Sequence, residues 1–109
     1  MDIIVGMGIT QEDSKYEVTY EVINTSINKE NTDAKKSYTV TGVGKTIASA
    51  IKSTTSKLNK KPYFEHMRIV LINSSLDILS LSDYFIRNNN ISSNFYLVLT
   101  DDPKSLLEY

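Results

Sequence analysis

The chain of 109 residues contains no cysteine, no tryptophan and one histidine, His66. Without cysteine it has no disulfides, no thiolate metal ligands and no cysteine nucleophile. A single histidine is too few for most zinc sites. No apolar run approaches the roughly 18 residues that a membrane-spanning helix needs, and residues 1–10 lack the basic start of a signal peptide. We therefore predict no catalytic, metal or cofactor-binding residues and no enzymatic activity.

The chain also has no large excess of charge of either sign, since 12 basic and 13 acidic residues give a net charge of −1. A balance of this kind favours neither a nucleic acid nor an anionic membrane as a partner. The content of hydrophobic residues, 40%, and of charged residues, 23%, is ordinary for a globular protein. The length suits one domain with a single core, and we predict a single domain over residues 1–109.

The first part of the chain has the patterns of three strands. Residues 3–9 form an apolar run broken by two glycines, which predicts a strand with a bulge or a close backbone contact. Residues 16–24 and 37–41 alternate with a period of two, which is typical of strands with one wet face. The face predicted to be wet in the second strand consists of Glu17, Thr19 and Glu21. Residues 25–36, between these two strands, are polar and predict a loop.

The second part alternates helices and strands. Apolar residues at helical spacing predict a helix over residues 46–58, and the continuous apolar run at 68–73 predicts a strand covered on both faces. A second helix is predicted over residues 74–87, a last buried strand over 94–100 and a third helix from Asp102 onward. The order β-β-β-α-β-α-β-(α) predicts an α+β fold with a mixed five-stranded sheet. In that sheet, three antiparallel strands are followed by parallel crossovers.

One segment resembles part of a phosphate-binding loop. Gly42-Val43-Gly44-Lys45-Thr46 follows a predicted strand and opens a helix, as the end of the pattern G-x-x-x-x-G-K-[ST] does. The first glycine of that pattern falls at position 39, which is Thr39. We therefore interpret Gly42 and Gly44 as a structural turn. A small nucleotide-binding domain that uses the Gly44-Lys45-Thr46 turn is kept as an alternative.

The loop before the buried strand contains the residues most suited to contact a partner. It combines basic and aromatic side chains: Lys60, Lys61, Tyr63, Phe64 and His66. Nucleic-acid binding favours a more basic domain overall, so a protein contact is the preferred interpretation. The aromatic side chains and the histidine have packing in the core as an alternative role.

Several segments, taken in order, resemble the N-terminal domain of the C subunit of spore germinant receptors, the Ger(x)C lipoprotein family. The most specific is KPYFEHMRIVLI at residues 61–72, a basic and aromatic segment with a histidine before a hydrophobic strand. The other matching segments are GMGI at 6–9, YEVT at 16–19, GVGKTI at 42–47, DYFIRN at 83–88 and NFYLVL at 94–99. The resemblance runs along nearly the whole chain.

The resemblance implies a non-enzymatic subunit of a nutrient-sensing complex. Such a subunit is held by a lipid anchor at the outer face of the spore inner membrane, beside the integral-membrane A and B subunits. The acylated cysteine of the family is absent from this sequence, so we expect the N-terminal domain of a longer lipoprotein. A surface binding module of unrelated lineage is the remaining alternative.

Overall fold

A computed structural model describes residues 2–24, 37–73 and 96–100, together with residues 102, 103 and 107. Its elements, in chain order, are β1 (Asp2–Glu12), β2 (Lys15–Asn24), β3 (Ser37–Gly44), α1 (Ile47–Ser56), β4 (Pro62–Tyr63), β5 (Ile69–Ile72) and β6 (Tyr96–Leu99). Pro103 and Leu107 are also helical. The loop predicted over residues 25–36 and the helix predicted over 74–87 lie outside the described residues, so these parts of the predicted order stay predictions.

The strands form one mixed sheet in the order β3-β2-β1-β5-β6. Strands β1, β2 and β3 pair antiparallel, which confirms the predicted meander. Strand β5 runs parallel to β1, and β6 runs parallel to β5. Within the described residues the sheet has six strands rather than the predicted five, because Pro62 and Tyr63 pair with the start of β1 as β4. A mixed sheet with a helix packed on it agrees with the predicted α+β class.

The hairpin between β1 and β2 closes through a two-residue turn. Asp13 and Ser14 both have positive φ angles, 47° and 66°. Turns with two left-handed residues match the right-handed twist of the flanking strands, so they fix the register of a hairpin. The pairing of Glu12 with Lys15 follows directly from this turn.

Helix α1 begins at a capping box and buries one stripe of side chains. The Thr46 hydroxyl accepts a hydrogen bond from the Ser49 N–H at 3.0 Å, and the Ser49 hydroxyl accepts one from the Thr46 N–H at 3.0 Å. The buried stripe has helical spacing: Ile47, Ala50, Ile51 and Thr54. Together with apolar side chains of β1, β2 and β5 it forms the core. The predicted helix over 46–58 is therefore confirmed, with bounds shorter by one residue at the start and two at the end.

The prediction that Gly42 and Gly44 form a turn is wrong, because both glycines belong to β3. Neither glycine has a positive φ angle. A Cβ atom on Gly44 would lie 2.4 Å from the Ala50 nitrogen, and one on Gly42 would lie 2.4 Å from the Thr54 nitrogen. Both residues are glycine because α1 lies directly against the backbone of β3, and the bend follows at Lys45 and Thr46.

The opposite face of the sheet is also covered in part. A Cβ atom on Gly6 would lie 2.9 Å from Leu107 Cδ2, and one on Gly8 would lie 3.1 Å from Pro103 Cβ. The predicted close contact at these glycines is confirmed, and so is the bulge, since the register of β1 against β2 shifts between Ile4 and Gly6. Thr19 on this face is only 2% exposed, so the prediction of a wet face is wrong at this position.

Strand β6 is exposed, which contradicts the prediction of a buried last strand. Its side chains are exposed by 37% to 79%. Helix α1 packs against β2 and β3, whereas β6 lies at the other end of the sheet order. By contrast, the strand predicted over residues 68–73 is covered as expected, since Val70, Leu71 and Ile72 of β5 are buried.

Candidate functional site

The loop predicted to bind a partner is held along one edge of β1. Strand β4 pairs with Asp2 and Ile3, and β5 resumes the pairing at Gly6. Residues 64–67 connect these two pairings in a tight turn, in which the Met67 N–H donates to the Phe64 carbonyl at 3.1 Å. The exposed residues Glu65 and His66 form the tip of this turn. The position of the loop is therefore fixed by main-chain pairing on both of its sides.

Two apolar side chains anchor this turn in the core. Met67 is fully buried. Phe64 packs edge-to-face on Tyr20, with ring centroids 5.6 Å apart and an interplanar angle of 82°. This is the favoured arrangement of two aromatic rings. Phe64 thus takes the core role that was left open in the sequence, and its ring is less available to a partner.

The remaining side chains of the predicted surface point outward to different degrees. Lys60, Lys61 and His66 are exposed, and Tyr63 is half-buried. We call these four residues the β4 surface. Chemically it offers two ammonium groups, an imidazole and part of a phenol.

Asp2 holds the start of the loop and was not singled out by the sequence. It is only 4% exposed. Its Oδ2 atom accepts a hydrogen bond from the Lys60 N–H at 3.3 Å, and its own N–H donates to the Lys61 carbonyl at 3.4 Å. The pKa of the Tyr38 phenol is raised, mainly by burial and to a smaller extent by the negative charge of the Asp2 carboxylate. No sequence signal identified Asp2, since an aspartate before an apolar run is common.

Arg68 and Tyr96 extend the surface toward β6. The Tyr96 N–H donates to the Arg68 carbonyl at 2.8 Å, so the two residues are neighbours at the start of β5 and β6. Arg68 is exposed, and Tyr96 is 79% exposed. Sequence reasoning missed both residues because it placed them in or beside buried strands. An exposed cation at the end of the loop and an exposed aromatic residue at the start of β6 therefore lie on neighbouring segments of the chain.

The geometry disfavours the phosphate-loop alternative. Gly42 and Gly44 pair with Val18 and Tyr16 of β2, so this backbone lies in a sheet and not in a loop that wraps a phosphate. The Thr46 hydroxyl, which would contact magnesium in such a loop, caps α1 instead. Lys45 is exposed at the bend.

The described residues contain no metal-binding cluster and no membrane-spanning helix. In residues 2–24, 37–73 and 96–100 no three histidine or acidic side chains are grouped so that they could hold a metal ion. Within the same part of the chain, no helix has the length and apolar character required to cross a membrane.

Comparison with known protein families identifies a match over the whole chain. A family model described as the spore germination protein N-terminal domain matches residues 1–109. No curated protein gives a significant match, and no solved structure does. The family model covers the described residues and those outside them alike, so it includes β1 to β6 and the β4 surface.

Proposed function

The chain belongs to the spore germination protein N-terminal domain family, and on that premise we propose that it is a non-enzymatic, protein-binding domain of a germinant receptor. In this proposal it forms the N-terminal part of the C subunit, the lipoprotein of the receptor, and takes part in germination triggered by nutrients. The family supports the role in germination. The mode of action is argued from the surface of the domain.

The observation that carries the proposal is the rigid display of the β4 surface. Main-chain pairing of β4 and β5 with β1 fixes both ends of the loop. The buried Asp2 holds its first residues, and the buried Met67 holds its last. A loop whose backbone is already fixed is suited to binding because little backbone conformational entropy is lost when a partner binds, so that the cost is limited to ordering the exposed side chains. The β4 surface has these properties.

We propose the integral-membrane A and B subunits of the receptor as the partners. The full-length protein would then lie at the outer face of the spore inner membrane, held there by a lipid anchor outside this sequence. The exposed lysines of the β4 surface would meet acidic or carbonyl groups of those subunits. Charged residues at the rim of an interface contribute mainly to specificity and to the rate of association.

Charge reversal in the full-length protein tests this proposal. Lys60→Glu combined with Lys61→Glu changes two exposed side chains, while the main-chain hydrogen bonds to Asp2 stay in place. The isolated domain is expected to keep its thermal midpoint within about 2 °C. We expect the full-length variant to lose co-purification with the A and B subunits and to germinate slowly in nutrient.

A matched control reverses two other exposed lysines, Lys45 and Lys52, which lie at the start and on the outer side of α1. This control variant should assemble and germinate like the parent. Normal assembly and germination in the Lys60→Glu, Lys61→Glu variant would contradict the proposal.

A further inference from the structure

Strand β6 exposes apolar side chains on both faces of the sheet. The exposed fractions are 79% for Tyr96, 44% for Leu97, 37% for Val98 and 60% for Leu99. Parallel strands are usually covered on both faces, and the neighbouring β5 is largely buried. The four residues of β6 contain no charge that would favour contact with water. Exposed apolar strands of this kind commonly mark a binding site.

The backbone of β6 also has one edge without a partner strand among the described residues. The Tyr96 N–H donates to the Arg68 carbonyl and the Thr100 N–H donates to the Ile72 carbonyl, both at 2.8 Å. Successive residues of a strand direct their main-chain groups to opposite edges. The N–H and C=O groups of Leu97 and Leu99 therefore point away from β5. They are the groups to which another strand can bind.

Within the part of the chain that the structure describes, β6 lacks the usual protections of an edge strand. Edge strands commonly carry lysine, proline or a bulge, or lie under a helix. The sequence of β6, YLVL, has no lysine or proline. Its register with β5 runs without a shift from Tyr96 to Leu99. This edge is regular and apolar, as a docking strand requires.

One cationic side chain, Arg68, lies at the end where β6 begins. Arg68 is exposed and its carbonyl is bonded to the first residue of β6. The exposed His66 precedes it by two residues, and Glu65 is the exposed acid of the same turn. Lys61 is farther away, because it precedes β4. Strand β4 pairs with β1 at Asp2, whereas β5 pairs with β1 at Gly6, and these two positions on β1 are roughly 13 Å apart. An extended segment that pairs with β6 and continues past Tyr96 approaches Arg68, the residue bonded to the first residue of β6.

We propose that β6 is a docking strand for an extended segment of a partner protein, mainly apolar in sequence and with acidic residues at the end that meets Arg68. This proposal rests on the proposed function and states the chemistry of the partner. A second folded copy is disfavoured, because stable interfaces bury at least about 1,200 Å² and the edge of β6 is only four residues long. An extended segment also gains main-chain hydrogen bonds and a contact with Arg68.

Two peptides test the proposal with the 109-residue chain. One peptide has five alternating valine and threonine residues and two glutamates at one end. The matched peptide has two lysines instead of the glutamates. With the isotope-labelled protein, the acidic peptide should shift the NMR signals of Arg68 and of residues 96–100. It should bind about tenfold more tightly than the lysine peptide at low salt.

Three variants sharpen the result. Leu99→Lys should weaken binding of the acidic peptide by about tenfold or more, because it places a charge on the docking strand. Val43→Lys is the matched control, since Val43 is 49% exposed on β3 at the other end of the sheet, and it should bind like the parent. Arg68→Glu should remove the preference for the acidic peptide.

Three outcomes would overturn the proposal. The first is an absence of shifts at β6 with either peptide, and the second is equal binding by Leu99→Lys and Val43→Lys. The third is a dimer in light scattering that Leu99→Lys dissociates, which would assign the edge to a second copy. These outcomes are separable from a failure of the proposed function, which is read from assembly and germination of the Lys60→Glu, Lys61→Glu variant.

Discussion

The two outer strands of the sheet, β3 and β6, are built in opposite ways. Helix α1 lies against the glycines of β3, and the Lys57 ammonium at the end of that helix donates to the Thr41 carbonyl of the same strand. Neither feature is found on β6 among the described residues, and the side chains of β6 are exposed by 37% to 79%. Helix α1 follows β3 directly in the chain, so local sequence covers one face of this outer strand. The difference suggests a structural role for β3 and a binding role for β6.

The largest loss of stability is expected on β3, from Gly44→Val. A Cβ atom on this residue would lie 2.3 Å from the Ser49 hydroxyl and 2.4 Å from the Ala50 nitrogen. The backbone of α1 cannot move away without losing its packing on β2, so the free energy of unfolding should fall by at least about 3 kcal/mol. Thermal denaturation should show a midpoint lower by more than about 10 °C.

Val43→Ala is the control for this experiment, because Val43 lies next to Gly44 and is 49% exposed. Its midpoint should stay near that of the parent. A Gly44→Val variant that melts like the parent would show that α1 does not lie against β3.

A smaller loss is expected from Thr54→Val, which removes a bond between α1 and the sheet. The Thr54 hydroxyl is fully buried and donates to the Val18 carbonyl at 3.0 Å and to the Ala50 carbonyl at 2.8 Å. Valine keeps the shape but leaves the carbonyl groups without this donor, so stability should fall by about 1–2 kcal/mol. Urea denaturation measures the change. Thr54→Ser keeps the hydroxyl, and if it were less stable than Thr54→Val, the hydrogen bond would not be the cause.

Almost no loss of stability is expected on β6, from Leu99→Lys. Leu99 is 60% exposed, and its replacement should change the free energy of unfolding by less than about 0.5 kcal/mol. Val43→Lys on β3 provides the comparison, with an equally small change in the urea midpoint. A loss above about 2 kcal/mol for Leu99→Lys alone would mean that β6 is covered in solution.

No effect at all is expected from ATP or GTP with magnesium. The backbone of Gly42 and Gly44 is paired in the sheet, and the Thr46 hydroxyl caps α1. Calorimetry with the 109-residue chain should therefore detect no binding. Micromolar affinity that disappears in Lys45→Ala would contradict this prediction and support the nucleotide-binding alternative.

The sequence predicted the elements whose patterns are local. The alternation of residues 16–24 and the helical spacing of residues 46–58 gave the meander and α1, because these patterns reflect which side chains of one element are buried. At Gly42 and Gly44 the pattern ended, since a glycine has no side chain to show which face it occupies. The close approach of α1 explains both residues, and it is a tertiary contact.

The residues of the candidate surface also differ in whether local sequence could predict their role. The exposure of Lys60, Lys61 and His66 agrees with their position in a polar loop. The roles of Asp2 and Arg68 depend on which strands are neighbours in the sheet, and no local pattern contains that information. The apolar run of β6 predicted burial because hydrophobicity alone does not distinguish a central strand from an outer one.

The central position of β1 has a consequence for the order in which the chain folds. Its partner β2 follows after a two-residue turn, but its partner on the other side begins with Pro62, sixty positions after Asp2. At a synthesis rate of about 5–20 residues per second, one edge of β1 stays without its partner strand for several seconds after β1 has been synthesised. The bulge near Val5 and the glycines at positions 6 and 8 make that waiting strand a poor template for aggregation.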